Sequence, residues 1–144
     1  LELGLVASID ASLVGMAAYV SAESLGIHGV MIGAVRNKPE DIAGILGLPD
    51  RVYAVFGMCL GFPTETPKQK PRMPVTGIVH HERYNADAAL GAIDPYDVDL
   101  KSHYDSIGKE SHPNSWTHEV DAKFSPRPRD GLRAALKDRG FDFT

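Results

Sequence analysis

The sequence holds a single cysteine, Cys59, in 144 residues, so no internal disulfide can form. Its apolar neighbours Phe56, Met58 and Leu60 predict a buried thiol, and its isolation fits a reducing, cytoplasmic setting. Positive charge is also scarce: fifteen Lys and Arg stand against nineteen Asp and Glu, a net charge of −4. That balance excludes a global field able to hold a nucleic-acid backbone or an anionic membrane, so an anionic ligand needs a local basic cluster. The charge-free apolar stretch at 11–22 is too short for a membrane span, and neither the basic start nor the cleavage site of a signal peptide stands near it. Neither nucleic acid nor membrane is expected as a partner. The histidines, His28, His80, His81, His103, His112 and His118, form no HExxH pattern and have no cysteine partner suited to zinc, so no metal site is expected. There is no GxSxG elbow for a nucleophilic serine, and Gly108-Lys109 is followed by Glu110 without the upstream glycine of a phosphate-binding P-loop.

What is present is an ordinary globular composition, 43% apolar and 24% charged, of a length that suits one domain over 1–144. The chain opens on Leu1, Leu3, Leu5 and Val6 rather than on methionine and a polar tail, which reads as a domain entered partway through; a trimmed or processed terminus is the alternative. Apolar residues at 9, 13, 16, 17 and 20 mark a helix over 9–25, with Ser8 or Asp10 as its cap and Gly26 at its end. Gly15, Ala18 and Ala22 give it a small-residue stripe, and it is expected to be central and heavily buried. A buried strand follows at 29–33. A helix runs from about 37 to 46, with Pro39 early, acids in its first turn and Gly47 and Pro49 closing it. The apolar run at 51–61 reads as a central strand, 62–74 as a proline-stiffened basic loop, and 75–84 as another strand, on which alternation would separate His80 from His81. The remainder is more polar, with helices at 97–106 and 129–139 and a loop at 109–114, and forms an extension over about 85–144 to a core over about 1–84.

Two segments carry possible chemistry. In GVMIGAVRN at 29–37 a strand runs into Gly33 and Ala34, which leave room for a flat ligand near backbone N–H groups, while Arg36 can reach an anion through forked hydrogen bonds. The bland alternative is a strand-end glycine and a surface arginine. In PKQKPRMP at 67–74, Lys70 and Arg72 flank a proline, and such a pair can hold a phosphate on a chain that has already lost much of its freedom; a solvated basic loop is the alternative. Trp116 reads as a packing anchor.

Taken in order, SAESLG at 21–26, GVMIGAVRN, Leu48-Pro49, FGMCLGFP at 56–63 and KPRMP at 70–74 resemble the nitroreductase superfamily. The similarity is to its type A branch, the oxygen-insensitive NADPH nitroreductases and NAD(P)H-flavin oxidoreductases, over about 8–84 and more weakly to Trp116. The resemblance implies an α+β fold, a mixed sheet wrapped by helices, of which this chain is the C-terminal part, in a homodimer with FMN at the subunit interface. It matches Met31, Ile32, Gly33, Ala34, Val35 and Arg36 to the flavin-lining segment, and Lys70 and Arg72 to the phosphate-binding pair. It implies an enzyme that passes hydride from NAD(P)H through flavin to nitroaromatics, quinones or free flavin, with no protein acid or base required; a flavin-binding carrier, sensor or redox-inactive fragment of the same fold is the alternative. The family's N-terminal RSxR-type motif does not occur in this chain, and Lys109, His112 and Pro113 stand where the branch carries arginines suited to NADPH. A modest preference between NADPH and NADH follows.

Overall fold

Helix α1 covers Glu2–Ser24 and starts seven residues upstream of the periodic stretch in the sequence. Leu1 stands at its N-cap without a side-chain bond, and Ser8 and Asp10, expected as caps, lie inside it. Glu2, Leu3, Leu5 and Ala7 are good helix formers that carry the helix past both. The Ser8 hydroxyl donates to the Gly4 carbonyl one turn back, at 2.6 Å, and also pairs with the Tyr53 hydroxyl. At the other end the N–H of Ile27 reaches the carbonyl of Ala22 and that of Gly26 the carbonyl of Glu23, a double closure that needs the left-handed φ of 75° at Gly26. The structure is a computed structural model that describes residues 1–109, 115–125 and 129–143.

The expectation of a heavily buried helix is corrected. Leu3, Leu13, Val14 and Val20 are exposed, and only Gly4, Gly15 and Ala22 are buried. Small residues let aromatic rings settle against the helix: a Cβ on Gly15 would stand 2.2 Å from Cζ of Phe56, and one on Gly4 2.6 Å from Cζ of Phe143. Ala18, expected in the same stripe, is exposed. With 23 residues, α1 is also long and apolar enough to cross a membrane by length and composition, which the shorter stretch at 11–22 concealed.

Strand β1, His28–Ile32, pairs antiparallel with β2, Gly57–Gly61, in the register Val30 opposite Cys59 and Met31 opposite Met58. The two make the whole of the described sheet. Neither is buried on both faces, β2 is not central, and Cys59 is exposed rather than buried. A continuous apolar run has the same composition whether or not the chain in hand supplies its cover. A Cβ on Gly29 would stand 2.7 Å from Cε2 of Tyr19 and 2.9 Å from Cδ2 of Leu60, so this glycine lets α1 lie against β1. Helix α2, Pro39–Leu46, follows the sequence closely: proline at its start, Glu40 and Asp41 in its first turn, Gly47 left-handed at its end. Its Ala43 is buried.

These elements belong to one of two compact units, Leu1–Glu65 with Arg129–Thr144; the other is Thr66–Pro128. In the second unit, 75–84 forms no strand. A 3-10 turn at Val75–Gly77 leads into bends, with Glu82 left-handed, because the N–H groups of Gly77, Ile78 and Val79 bond back to Pro74 and Val75. A Cβ on Gly77 would stand 2.3 Å from that of Ala92, so the glycine seats this turn on the helical part of the unit. Helices α3, Ala86–Gly91, and α4, Ile93–Ser106, follow, and α4 starts four residues earlier than expected. Helix α5, Trp116–Phe124, was not visible in the periodicity; its first turn is held by Ser115 and by Asp97, which accepts from the Thr117 N–H at 3.1 Å and from its hydroxyl. Tyr96, Leu100 and Tyr104, spaced by four along α4, form the core of this unit, with Met73 and Trp116 packed on it. Trp116 is thus the packing anchor expected. In the first unit the last helix, α6, covers Leu132–Asp138 and buries Ala135 and Leu136.

Candidate functional site

In the first unit, β1 ends at Ile32 and residues Gly33–Asn37 coil into a single 3-10 turn. Met31 and Ala34 are exposed, whereas Ile32, Gly33, Val35 and Arg36 are half-buried. The half-buried residues fasten the turn. Val35 packs where Gly57 has no side chain, 3.3 Å from the Cβ position of that glycine, and the Arg36 guanidinium donates to the carbonyl of Val55. The space left by Gly33 is not wholly open: its Cβ position lies 3.1 Å from Nη2 of Arg36 and 3.8 Å from Nη2 of Arg129.

Arg129, which sequence reasoning did not single out, holds this turn from a distance of ninety-odd residues along the chain. Its Nε donates to Oδ1 of Asn37 at 2.9 Å and its Nη2 faces the Gly33 carbonyl at 3.4 Å, from a backbone with φ of 60°. A non-glycine residue in the left-handed region costs conformational energy that its contacts must offset. The only trace of it in the sequence is an arginine just after a proline, at the point where 129–139 was expected to turn helical. Among the described residues neither Arg36 nor Arg129 has a carboxylate partner. Two guanidinium groups therefore flank Gly33 with their charges uncompensated, an arrangement that favours an anionic or electron-rich group over a cationic one.

Residues 62–74 carry no helix or strand, as their prolines require, and from Thr66 onward they belong to the second unit. Lys70 and Arg72 take different surroundings. The Lys70 ammonium donates to the Tyr104 hydroxyl at 2.7 Å and is half-buried; that bond, outweighing partial desolvation, holds its pKa above the ordinary lysine value of 10.5. Arg72 is exposed, and its Nη1 turns back onto the carbonyls of Lys70 and Pro71, each at 3.2 Å. The Nε and Nη2 edge is left for a forked contact. Among the described residues neither cation makes an ion pair. Cations outside any such pair, on a stiff loop, suit a phosphate.

Of the residues weighed for nucleotide preference, Lys109 has its ammonium 4.7 Å from the centre of the Tyr104 ring. His112 and Pro113 lie outside the described residues. Among those described, no three His, Cys, Asp or Glu side chains come together as metal ligands. His80 accepts from the Asn85 N–H through Nδ1 and leans on the Tyr84 ring, a role in local packing.

Comparison with known proteins gives these residues a context. Residues 70–144 match the family profile described as the C-terminal domain of the nitroreductase family. The chain is 33% identical over 139 residues to the NADPH-flavin oxidoreductase of Vibrio harveyi, covering 96% of this chain and 58% of that protein. It is 37% identical over 117 residues to the oxygen-insensitive NADPH nitroreductase of Salmonella typhimurium, covering 81% and 48%. Among solved structures, NfrA2 of B. megaterium superposes with a TM-score of 0.90 at 34% identity over 99% of this chain and 58% of that one. Nitroreductase A from Vibrio parahaemolyticus does so with 0.87 at 33% identity over the same shares. The chain thus spans about half the length of the relatives it matches.

Proposed function

The chain belongs to the nitroreductase family, with the α+β fold of that family, and from this membership and the two basic segments we propose that it is the flavin-binding C-terminal part of an NAD(P)H-dependent nitroreductase or flavin reductase. Both described units are read as parts of one family domain. The flavin is read as FMN because Lys70, fixed on Tyr104, and Arg72 beside it offer permanent charge to a terminal phosphate. That pair is the observation that carries the proposal. Segment 31–36 is proposed as flavin-lining in its own right: Met31 and Ala34 are its exposed members, and Ile32, Gly33, Val35 and Arg36 supply backbone and rigidity. When bound, the flavin supplies the hydride chemistry. The work of the chain is to hold it, to set its orientation through a turn pinned from Val55, Asn37 and Gly57, and to keep positive charge near Gly33 through Arg36 and Arg129.

The acceptor is read as a nitroaromatic or free flavin, in keeping with the names of the relatives, or as a quinone of similar flat shape. A homodimer is supported by the apolar residues that α1 leaves uncovered, among them Leu13, Val14 and Val20. A cytoplasmic setting suits the lone exposed thiol of Cys59.

The test is steady-state oxidation of NADPH and NADH by the flavin-loaded full-length protein with an added quinone. Turnover with either nucleotide is expected. Bound flavin without turnover would overturn the enzymatic reading in favour of a carrier or sensor.

A further inference from the structure

The loop at 70–73 is fastened to one face of α4 at three points. Tyr104 accepts a hydrogen bond from the Lys70 ammonium at 2.7 Å, the Tyr96 hydroxyl leans toward the Pro71 carbonyl at 3.5 Å, and Met73 packs on the cluster that these tyrosines form with Leu100. Positions 96, 100 and 104 are one helical turn apart, so the helix spaces these contacts at a fixed pitch. Tyr104 is only 5% exposed and Leu100 not at all, so the phenol cannot swing without opening the core of its unit. Its hydroxyl is therefore a fixed point on α4 to which the loop is tied.

The distance from the Lys70 ammonium to the ring centre is 5.1 Å. Together with the short bond to the hydroxyl, this puts the ammonium at the polar edge of the ring rather than over its face. Of its three N–H donors one is engaged by Tyr104, which leaves two in directions set by the fixed N–O vector. A lysine free in solvent would have to give up the freedom of four rotatable bonds to meet a phosphate; the bond to Tyr104 has already taken part of that freedom from this one. Lys109 brings a second ammonium to the same ring.

We propose that Tyr104 is a positioning residue that holds the Lys70 ammonium where the flavin phosphate is bound, a role that rests on Lys70 being a phosphate ligand. Tyr104→Phe removes the hydroxyl and keeps the ring that the core needs. In the full-length protein, freed of flavin and titrated with FMN and with riboflavin by flavin fluorescence, Tyr104→Phe is expected to weaken FMN about three- to tenfold and to leave riboflavin unchanged. On a Lys70→Met background the same substitution is expected to cause no further loss, because the contact it removes is already gone. Full FMN affinity in Tyr104→Phe, equal losses for FMN and riboflavin, or additive losses in the double variant would each overturn the positioning role. Lys70→Met separates the two levels. If it leaves the preference for FMN over riboflavin intact, the phosphate role of Lys70 falls and that of Tyr104 with it. If it abolishes the preference while Tyr104→Phe does not touch it, the positioning role alone falls.

Discussion

Arg72→Ala and Lys70→Ala make the sharpest pair of perturbations of the proposed phosphate contact, because the structure gives the two cations unequal starting points. Arg72 is exposed and tied to its own loop through Nη1, so its free edge can make a forked contact but must be ordered to do so. Lys70 offers only a point charge but is already anchored on Tyr104. A charge-assisted hydrogen bond contributes about 1.5–3 kcal/mol, which is roughly ten- to a hundredfold or slightly more in affinity. From residue type alone, arginine should matter more than lysine. Pre-ordering of Lys70 saves up to about 1.5–2 kcal/mol of side-chain entropy, a difference as large as the advantage of the fork. The two losses for FMN should therefore come out within about threefold of one another. Equilibrium titration of the full-length variants with FMN and riboflavin measures them, and riboflavin, without phosphate, should bind both variants as it binds the parent. Equal weakening of riboflavin would show that the loop shapes the ring site rather than gripping a phosphate. A tenfold smaller effect at Lys70 than at Arg72 would show that its anchorage has no energetic consequence.

The parts of this molecule legible in the sequence are those fixed by local chemistry. Helix α2 was readable because its proline, acids and left-handed glycine all lie within one short stretch, 39–47. The loop at 62–74 was readable because proline cannot enter a sheet. The unread parts depend on distant contacts. The apolar residues of 75–84 match a strand pattern, yet Gly77 seats against Ala92 and the backbone closes into a 3-10 turn. Apolar residues in α1, β1 and β2 announced burial, but a sequence records what a segment needs and not whether the same stretch of chain supplies it. The same holds for the site. Gly33, Arg36, Lys70 and Arg72 stand in short motifs that sterics and charge can interpret. Arg129 reaches Gly33 and Asn37 across the length of the chain, and Tyr104 reaches Lys70 from the far end of α4, so neither link leaves a periodic mark.

Arg139 ties the end of α6 to α2 and the chain after it: its Nη2 lies 3.0 Å from Glu40 and its Nη1 faces the carbonyls of Leu48, Pro49 and Val52, with the side chain 13% exposed. Arg139→Ala should cost about 2–3 kcal/mol in urea unfolding without altering the preference for FMN over riboflavin, and a loss below about 0.5 kcal/mol would refute this. Gly15→Ala improves helix propensity by about 1 kcal/mol but drives a Cβ to within 2.2 Å of the Phe56 ring, so a net loss of stability is expected, partly recovered by adding Phe56→Leu; net stabilisation would show that the ring moves freely. The last expectation concerns pH. The hydrogen bond to Tyr104 raises the Lys70 pKa above 10.5, with desolvation opposing it and Tyr96 and Glu119 adding smaller favourable charge effects. A cation whose folded pKa lies above its unfolded value stabilises the fold fully below the unfolded value, and that contribution is lost as pH rises through the folded one. The difference in melting temperature between the parent and Tyr104→Phe should therefore be constant from pH 7 to about 10 and change only above the ordinary lysine range. The preference for FMN over riboflavin should hold over the same interval, since Lys70 stays charged throughout it. A decline beginning near pH 8 would mean that Lys70 loses its proton early, and that the bond to Tyr104 does not protect the charge on which the proposed phosphate contact depends.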